Sequence, residues 1–320
     1  MKVVILVFDD CSLFAVSGMV SLLNNANQLY TGKPTDYFEV ELLSTTSSKQ
    51  VTCSFNMPVT CHSTMNDYTC VPDLVIVPGL ESNIPKKLDQ LKHVSQWIAL
   101  MHAKGVRITG SCTGNFIIAQ AGILDGKMAT THWKATELFK QCFPKVILCD
   151  EKILIDQGSI IMGGGTLSFQ NMMMYLVEKQ MGKDTAIALS KFMLLDMKKD
   201  PQSAYAAFNS QKNHTDVAIL RAQNLIEDKP SSRWNIETLA DQVAISVRHF
   251  NRRFKNATGQ APAEYIRRVK IETAKHFLES SQLTFEEIVQ KVGYEDISSF
   301  RKQFTKLVGI TPIQYRHKYN

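Results

Sequence analysis

Short apolar blocks alternate along the first two-thirds of the chain with longer stretches whose apolar positions recur every three or four residues. VVILVF (3–8), FEVELLS (38–44) and LVIVPG (74–79) read as strands, and Ser17 to Leu29 and Lys86 to His102 carry helical spacing. VRIT then leads into GSCTGNFIIAQAG (110–122), a small-residue turn followed by a helix to about Ala121. The pattern repeats more weakly beyond it. Residues 134–143 are helical, 146–149 and 153–156 extended, and SIIMGGG (159–165) precedes helices over 166–181 and 184–195. Strands alternating with helices predict a parallel sheet covered on both faces.

The alternation stops in DMKKDPQSAYAAFNSQKNH (196–214), whose polarity and Pro201 mark a linker. Everything after it reads as helix, turn, helix. The expected organisation is therefore an α/β domain over 1–195, a linker over 196–213 and an all-α domain over 214–320.

The all-α domain repeats itself. FNRRFKNATGQAPAEYIR (250–267) aligns with FRKQFTKLVGITPIQYRH (300–317) at a constant offset of 50, pairing Phe250 with Phe300, Phe254 with Phe304, Gly259 with Gly309, Pro262 with Pro312 and Tyr265 with Tyr315. IETLADQV (236–243) matches FEEIVQKV (285–292) upstream. Each copy is laid out as a helix, a tight turn and a second helix opening at an N-cap residue, Ser246 or Asp296. The second helix hides its phenylalanines and turns outward Arg248, Asn251, Arg252 and Lys255 in one copy, and Ser298, Ser299, Arg301, Lys302 and Lys306 in the other. Such a face suits base edges and phosphates of double-stranded DNA.

On these residues the stretch 214–320 resembles the AraC/XylS-type DNA-binding domain, through A-x-x-V-x-x-S-x-R-x-F-x-R-x-F-K-x-x-T-G-x-x-P-x-x-Y (240–265) and V-G-Y-x-D-x-S-x-F-x-x-x-F-x-x-x-x-G-x-x-P-x-x-Y-R (292–316). The resemblance implies two helix-turn-helix units joined by a central helix over about Pro262 to Glu279, with recognition helices in successive major grooves. It implies base-edge roles for Arg248, Asn251 and Arg252 in the first unit and for Ser298 and Lys302 in the second. Lys302 stands where the family often carries arginine, so looser reading by the second unit is expected.

Charge agrees with a polyanion partner. Of the net +6, +5 lies from His214 onward. The hydrophobic and charged fractions, 44% and 21%, are those of a globular protein, and no apolar run reaches membrane-span length. The first strand ends in two aspartates and is not a signal peptide, so a cytoplasmic location is expected. Seven cysteines, without a C-x-x-C pair or zinc-like histidine spacing, read as reduced thiols, with no metal and no cofactor.

Cys112, at the apex of a strand-to-helix turn, has the setting of a nucleophile elbow. GSCTGNFIIAQAGILDGKMATTHW (110–133), with MKVVILVF and SLLNNAN (21–27), resembles the class I glutamine amidotransferase-like, or PfpI-like, domain that precedes AraC-type modules in a group of transcriptional regulators, over about residues 1–190. The resemblance implies a flavodoxin-like fold whose hydrolase relatives use the elbow cysteine. Here Thr113 stands where several hydrolases carry histidine, and Ser21 where they carry an acid. The candidates for catalysis are Cys112 and His132. The candidates for an effector pocket are Asp9, Asp10, Cys112, Thr113, His132 and Gly164, with Gly163 to Gly165 either a tight turn or an N–H-lined anion cradle. The expected function is a non-enzymatic regulator that senses a small metabolite, with a cysteine hydrolase or a thiol redox sensor as alternatives. An effector related to amino acids or amines, a homodimer and RNA polymerase as a further partner follow from the resemblance alone.

Overall fold

The computed structural model describes every residue except Ser82, 197–200, Asn209 and Gln211, so part of the expected linker lies outside the described residues. The chain divides into two compact units, Met1–Gln202 and Ser203–Asn320.

In the first unit the elements run β1 (Lys2–Val7), α1 (Leu13–Leu29), β2 (Glu39–Ser44), β3 (Gln50–Cys53), β4 (Met57–Thr60), β5 (Ser63–Thr64), β6 (Leu74–Val77), α2 (Ile84–Gln90), α3 (Lys92–Ala103), β7 (Arg107–Ser111) and α4 (Asn115–Gln120). They continue as β8 (Met128–Ala129), α5 (Thr136–Cys142), β9 (Ile147–Leu148), β10 (Leu154–Asp156), β11 (Ile160–Gly163), α6 (Ser168–Met181) and α7 (Lys183–Phe192). Seven strands form one sheet in the order β10-β11-β7-β6-β1-β2-β5. Every pairing in it is parallel except that of the edge strand β10 with β11. This is the parallel sheet that the alternation predicts, in the flavodoxin-like form that the resemblance implies.

Strands β1, β6 and β11 are apolar at consecutive positions, and Val3 to Val7, Leu74 to Val77 and Ile160 to Met162 are all buried. Both faces of the sheet are thus covered, as parallel sheets require. Helices α1, α6 and α7 pack on one another, and α2, α3 and α4 form a second packed group. The single helix expected over 86–102 is two, because Leu91 (φ −97°, ψ 15°) ends α2 and begins α3. Periodicity also misses the β3–β4 hairpin, which lies outside the main sheet.

The second unit holds α8 (Val217–Asp228), α9 (Ile236–Gln242), α10 (Val247–Thr258), α11 (Pro262–Ser280), α12 (Phe285–Lys291), α13 (Ile297–Val308) and α14 (Pro312–Tyr319). Two cores form, one around Phe250, Phe254 and Tyr265 and one around Phe300, Phe304 and Tyr315. The repeat is visible in every joint. Gly259 and Gly309 end the recognition helices at φ 74° and 84°, where only glycine is unstrained, and Pro262 and Pro312 open the next helices. Tyr265 donates its hydroxyl to Glu227, and Tyr315 donates to Glu279 Oε1 at 2.5 Å. Each tyrosine thereby ties its helix to the helix ahead of its own repeat. Helix α11 packs against α8 and α10 on one side of the repeat and α12, α13 and α14 on the other. No helix of the described residues is long and apolar enough to cross a membrane.

Candidate functional site

Strand β7 ends centrally in the sheet, between β6 and β11, and the chain turns sharply there. Cys112 takes φ 57°, a left-handed conformation that a non-glycine residue adopts at a cost and that nucleophile elbows share. Glycines make the turn sterically feasible. A Cβ on Gly114 would come within 2.3 Å of the Pro78 carbonyl oxygen, and one on Gly110 within 2.3 Å of Asn115 Oδ1. The buried Asn115 amide then locks the turn by donating to the carbonyls of Thr130 (2.8 Å) and Gly163 (3.0 Å).

Geometry and protonation disagree at this cysteine. Burial pushes the Cys112 thiol up, and the Glu81 carboxylate adds to the shift. The backbone N–H and hydroxyl of Thr113 and the hydroxyl of Thr166 oppose it without reversing it. A thiol whose ordinary pKa is already about 8.5, raised further, is protonated at neutral pH and is a poor nucleophile.

His132 supplies no remedy. Its Nδ1 accepts the Lys134 backbone N–H at 3.1 Å, and its ring stacks on Trp133 with centroids 5.5 Å apart. Burial first, and Lys134 second, lower the imidazole pKa, so it is neutral at pH 7. Among the described residues no hydrogen bond joins His132 to Cys112. The Glu81 carboxylate acts on both groups, adding to the upward shift of Cys112 and opposing the downward shift of His132.

The other candidate residues have structural partners. Asp9 accepts the Thr52 N–H at 3.3 Å, and Asp10, at φ 64°, pairs with Lys87 at 2.7 Å. The Thr113 hydroxyl accepts from Leu80 N–H (2.7 Å) and donates to Leu80 O (2.9 Å), fastening the elbow to the end of β6. Gly164 spends its N–H on the Ile153 carbonyl. Glu81, Thr166 and Gln202 belong to the same neighbourhood and carry no motif that would single them out.

In the second unit Ser246 and Asp296 cap α10 and α13 by accepting the N–H groups of His249 and Ser299. Arg248, Arg252 and Lys255 stand exposed on α10, and Ser298, Lys302 and Lys306 on α13. Among the described residues none of these five cations forms an ion pair. Three of the expected contact residues are partly engaged, Ser299 by accepting the Gln303 amide N–H at 3.3 Å. The Asn251 amide donates to Val247 O at 3.0 Å, and Arg301 lies 3.8 Å from Glu286 with its guanidinium over the Phe285 ring. Arg253, which the outward face does not include, grips Asp216 with two hydrogen bonds of 2.9 and 2.6 Å and pins α10 to the start of α8.

An elbow-bearing α/β domain joined in one chain to a tandem helix-turn-helix module defines a class of DNA-binding regulator. The DJ-1/PfpI family matches residues 1–187 and a helix-turn-helix domain matches residues 239–318. The chain belongs to the DJ-1/PfpI family, and its second unit is an AraC-type helix-turn-helix domain. It is similar to the HTH-type transcriptional regulator GbdR of Pseudomonas aeruginosa, 24% identical over 96% of this chain and 82% of that protein. It is also similar to the HTH-type transcriptional regulator GlxA of Rhizobium meliloti, 28% identical over 67% of this chain and 66% of that one. In fold it resembles the crystal structure of a mutant DJ-1 superfamily protein from Salmonella typhimurium, with a TM-score of 0.52 and 17% identity over 61% of this chain and 98% of that chain.

Proposed function

We propose that this protein is a transcriptional regulator that binds specific duplex DNA through α10 and α13 and responds to a small metabolite held by its first unit. The observation that carries the DNA reading is the doubled amphipathic recognition helix. Each copy buries its phenylalanines to fix its pose and keeps unpaired cations outside. What supports a sensing role over catalysis is the elbow, which keeps the cysteine and its strained backbone while its thiol is pushed up and its histidine is committed elsewhere. The exposed apolar side chains Phe14, Phe192 and Leu194 on or beside α1 and α7 support assembly of two copies through the first unit.

The test uses the full-length protein. Duplexes selected from a random library should share a sequence, and Arg252→Ala should lose preference at one position of it; no enrichment of any sequence would remove the DNA reading. Amino acids and amines are then screened for thermal stabilisation, with Cys112→Ser alongside. A hit is a regulator's effector only if it changes affinity for the selected duplex, since coupling requires unequal binding to the two states. Turnover of any hit that disappears in Cys112→Ser would make the unit an enzyme instead.

A further inference from the structure

Gln202, the last residue of the first unit, is 2% exposed and occupies a site built from oxygen acceptors. Its amide nitrogen lies 3.1 Å from Thr130 Oγ1, 3.1 Å from the Thr131 carbonyl oxygen, 3.1 Å from that of Asp150 and 3.0 Å from that of Lys152. The Thr130 hydroxyl gives its own proton to Lys152 O at 2.7 Å, so toward the amide it is an acceptor. Four acceptors therefore converge on a nitrogen with two N–H bonds. The other half of the amide fares worse, because Gln202 Oε1 is buried and has no hydrogen-bond partner among the described residues. A carboxamide fits the space and only half of the chemistry.

Gly164 makes the space. A Cβ there would lie 1.8 Å from Gln202 Nε2 and 2.8 Å from Thr130 Oγ1. Gly164 thus contributes room at this point, with its own N–H given to the Ile153 carbonyl. A cluster of carbonyl oxygens without a donor suits a positive group with at least three N–H bonds, which shares its hydrogens among all four acceptors and gains from their partial negative charge.

We propose that this cluster is a binding site for a protonated primary amine, and that Gln202 fills it as a competing side chain on the same chain. The proposal deepens the metabolite-sensing reading and rests on it only for the consequence at the DNA. An amine entering the cluster expels the Gln202 side chain, and with it the backbone N–H that now donates to Glu151 O at 2.9 Å. The next residue, Ser203, begins the DNA-binding unit. Because a tethered competitor acts at millimolar effective concentration or above, removing it should strengthen amine binding by roughly tenfold or more.

The test titrates full-length protein with methylammonium chloride and follows thermal unfolding, with tetramethylammonium chloride and potassium chloride at equal ionic strength as controls. Wild type should be stabilised by methylammonium alone, Gln202→Ala should respond at about tenfold lower concentration, and Gly164→Ala should not respond. No response in wild type or Gln202→Ala, an equal response to tetramethylammonium or potassium, or the same midpoint in both proteins would overturn the proposal. Hydrogen exchange of the Gln202 backbone amide in wild type guards against a variant that does not fold. Protection should fall at saturating methylammonium, and unchanged protection would overturn the displacement. Amine binding with no effect on DNA affinity would sink the sensing reading and leave this site standing. A different metabolite that shifts DNA affinity without methylammonium binding would do the reverse.

Discussion

At the turn after β7 the backbone of Cys112 is held at φ 57° while its sulfur is kept from ionising by burial and by Glu81. Two measurements follow from that combination. With iodoacetamide at pH 7, the exposed Cys70 and Cys142 should be alkylated well before Cys112, and peptide mass spectrometry reads the order. A thiol raised in the folded state contributes stability below the ordinary thiol pKa of about 8.5 and loses it as pH rises through the higher folded value. Wild type should therefore lose more thermal stability than Cys112→Ser between neutral pH and pH 10, and parallel curves would contradict the assignment. The helix-turn-helix turns give a second residue-scale contrast. Ala244 holds φ 56° where the repeat has Gly293 at φ 74°. Ala244→Gly should relieve that strain and stabilise by about 0.5–1 kcal/mol in urea unfolding. Gly293→Ala should destabilise by more, since its Cβ would meet the Ser231 carbonyl oxygen at 2.0 Å. At this scale the sequence is unevenly legible. A cysteine between glycines announces a tight turn, whereas Gln202 gains its environment only when the Thr130 and Lys152 segments come together, and nothing beside it in the chain says so.

Among the elements, the internal repeat is what made the second unit readable. Phe, Gly, Pro and Tyr recur at one spacing because each copy needs the same packed face, the same left-handed stop and the same helix start, and the central helix expected over 262–279 is α11, Pro262–Ser280. The first unit was legible where a strand is buried on both faces and less so elsewhere. The β3–β4 hairpin is short and partly exposed, and the break at Leu91 (φ −97°, ψ 15°) carries no turn residue that would mark it in the sequence. Phe254, fully buried, belongs to the packing that fixes α10, and Phe254→Ala should cost about 3–5 kcal/mol. The outward residues should behave differently. Arg252→Ala and Lys302→Ala should leave folding unchanged and weaken DNA binding, by about 1–3 kcal/mol at one base position where the side chain reads a base. Lysine lacks the rigid fork of arginine, so the loss of discrimination should be smaller for Lys302. Unchanged affinity and specificity in Lys302→Ala would remove α13 from the reading surface.

For the molecule as a whole, the decisive length is that of α11. Nineteen residues at a rise of about 1.5 Å each make a rod of about 28 Å, packed against helices of both helix-turn-helix units. Successive major grooves on one face of a duplex recur about every 34 Å, and a rod of this length, packed against both recognition helices, is comparable with one turn of DNA. A rigid connection cannot follow the sites if they are moved. Inserting about 5 base pairs, half a turn, between the two half-sites of a selected duplex should turn the second half-site to the far face. Binding should fall to that of the first unit alone. Inserting about 10 base pairs, a full turn, restores the face but doubles the distance, and binding should remain equally weak, because α11 cannot stretch as a flexible linker would. In both altered duplexes Lys302→Ala should cost nothing further. The dependence of affinity on salt should also flatten, since the cations of α13 no longer displace counterions. Recovery of full affinity at the full-turn insertion would mean that the two units are not held by a rigid α11.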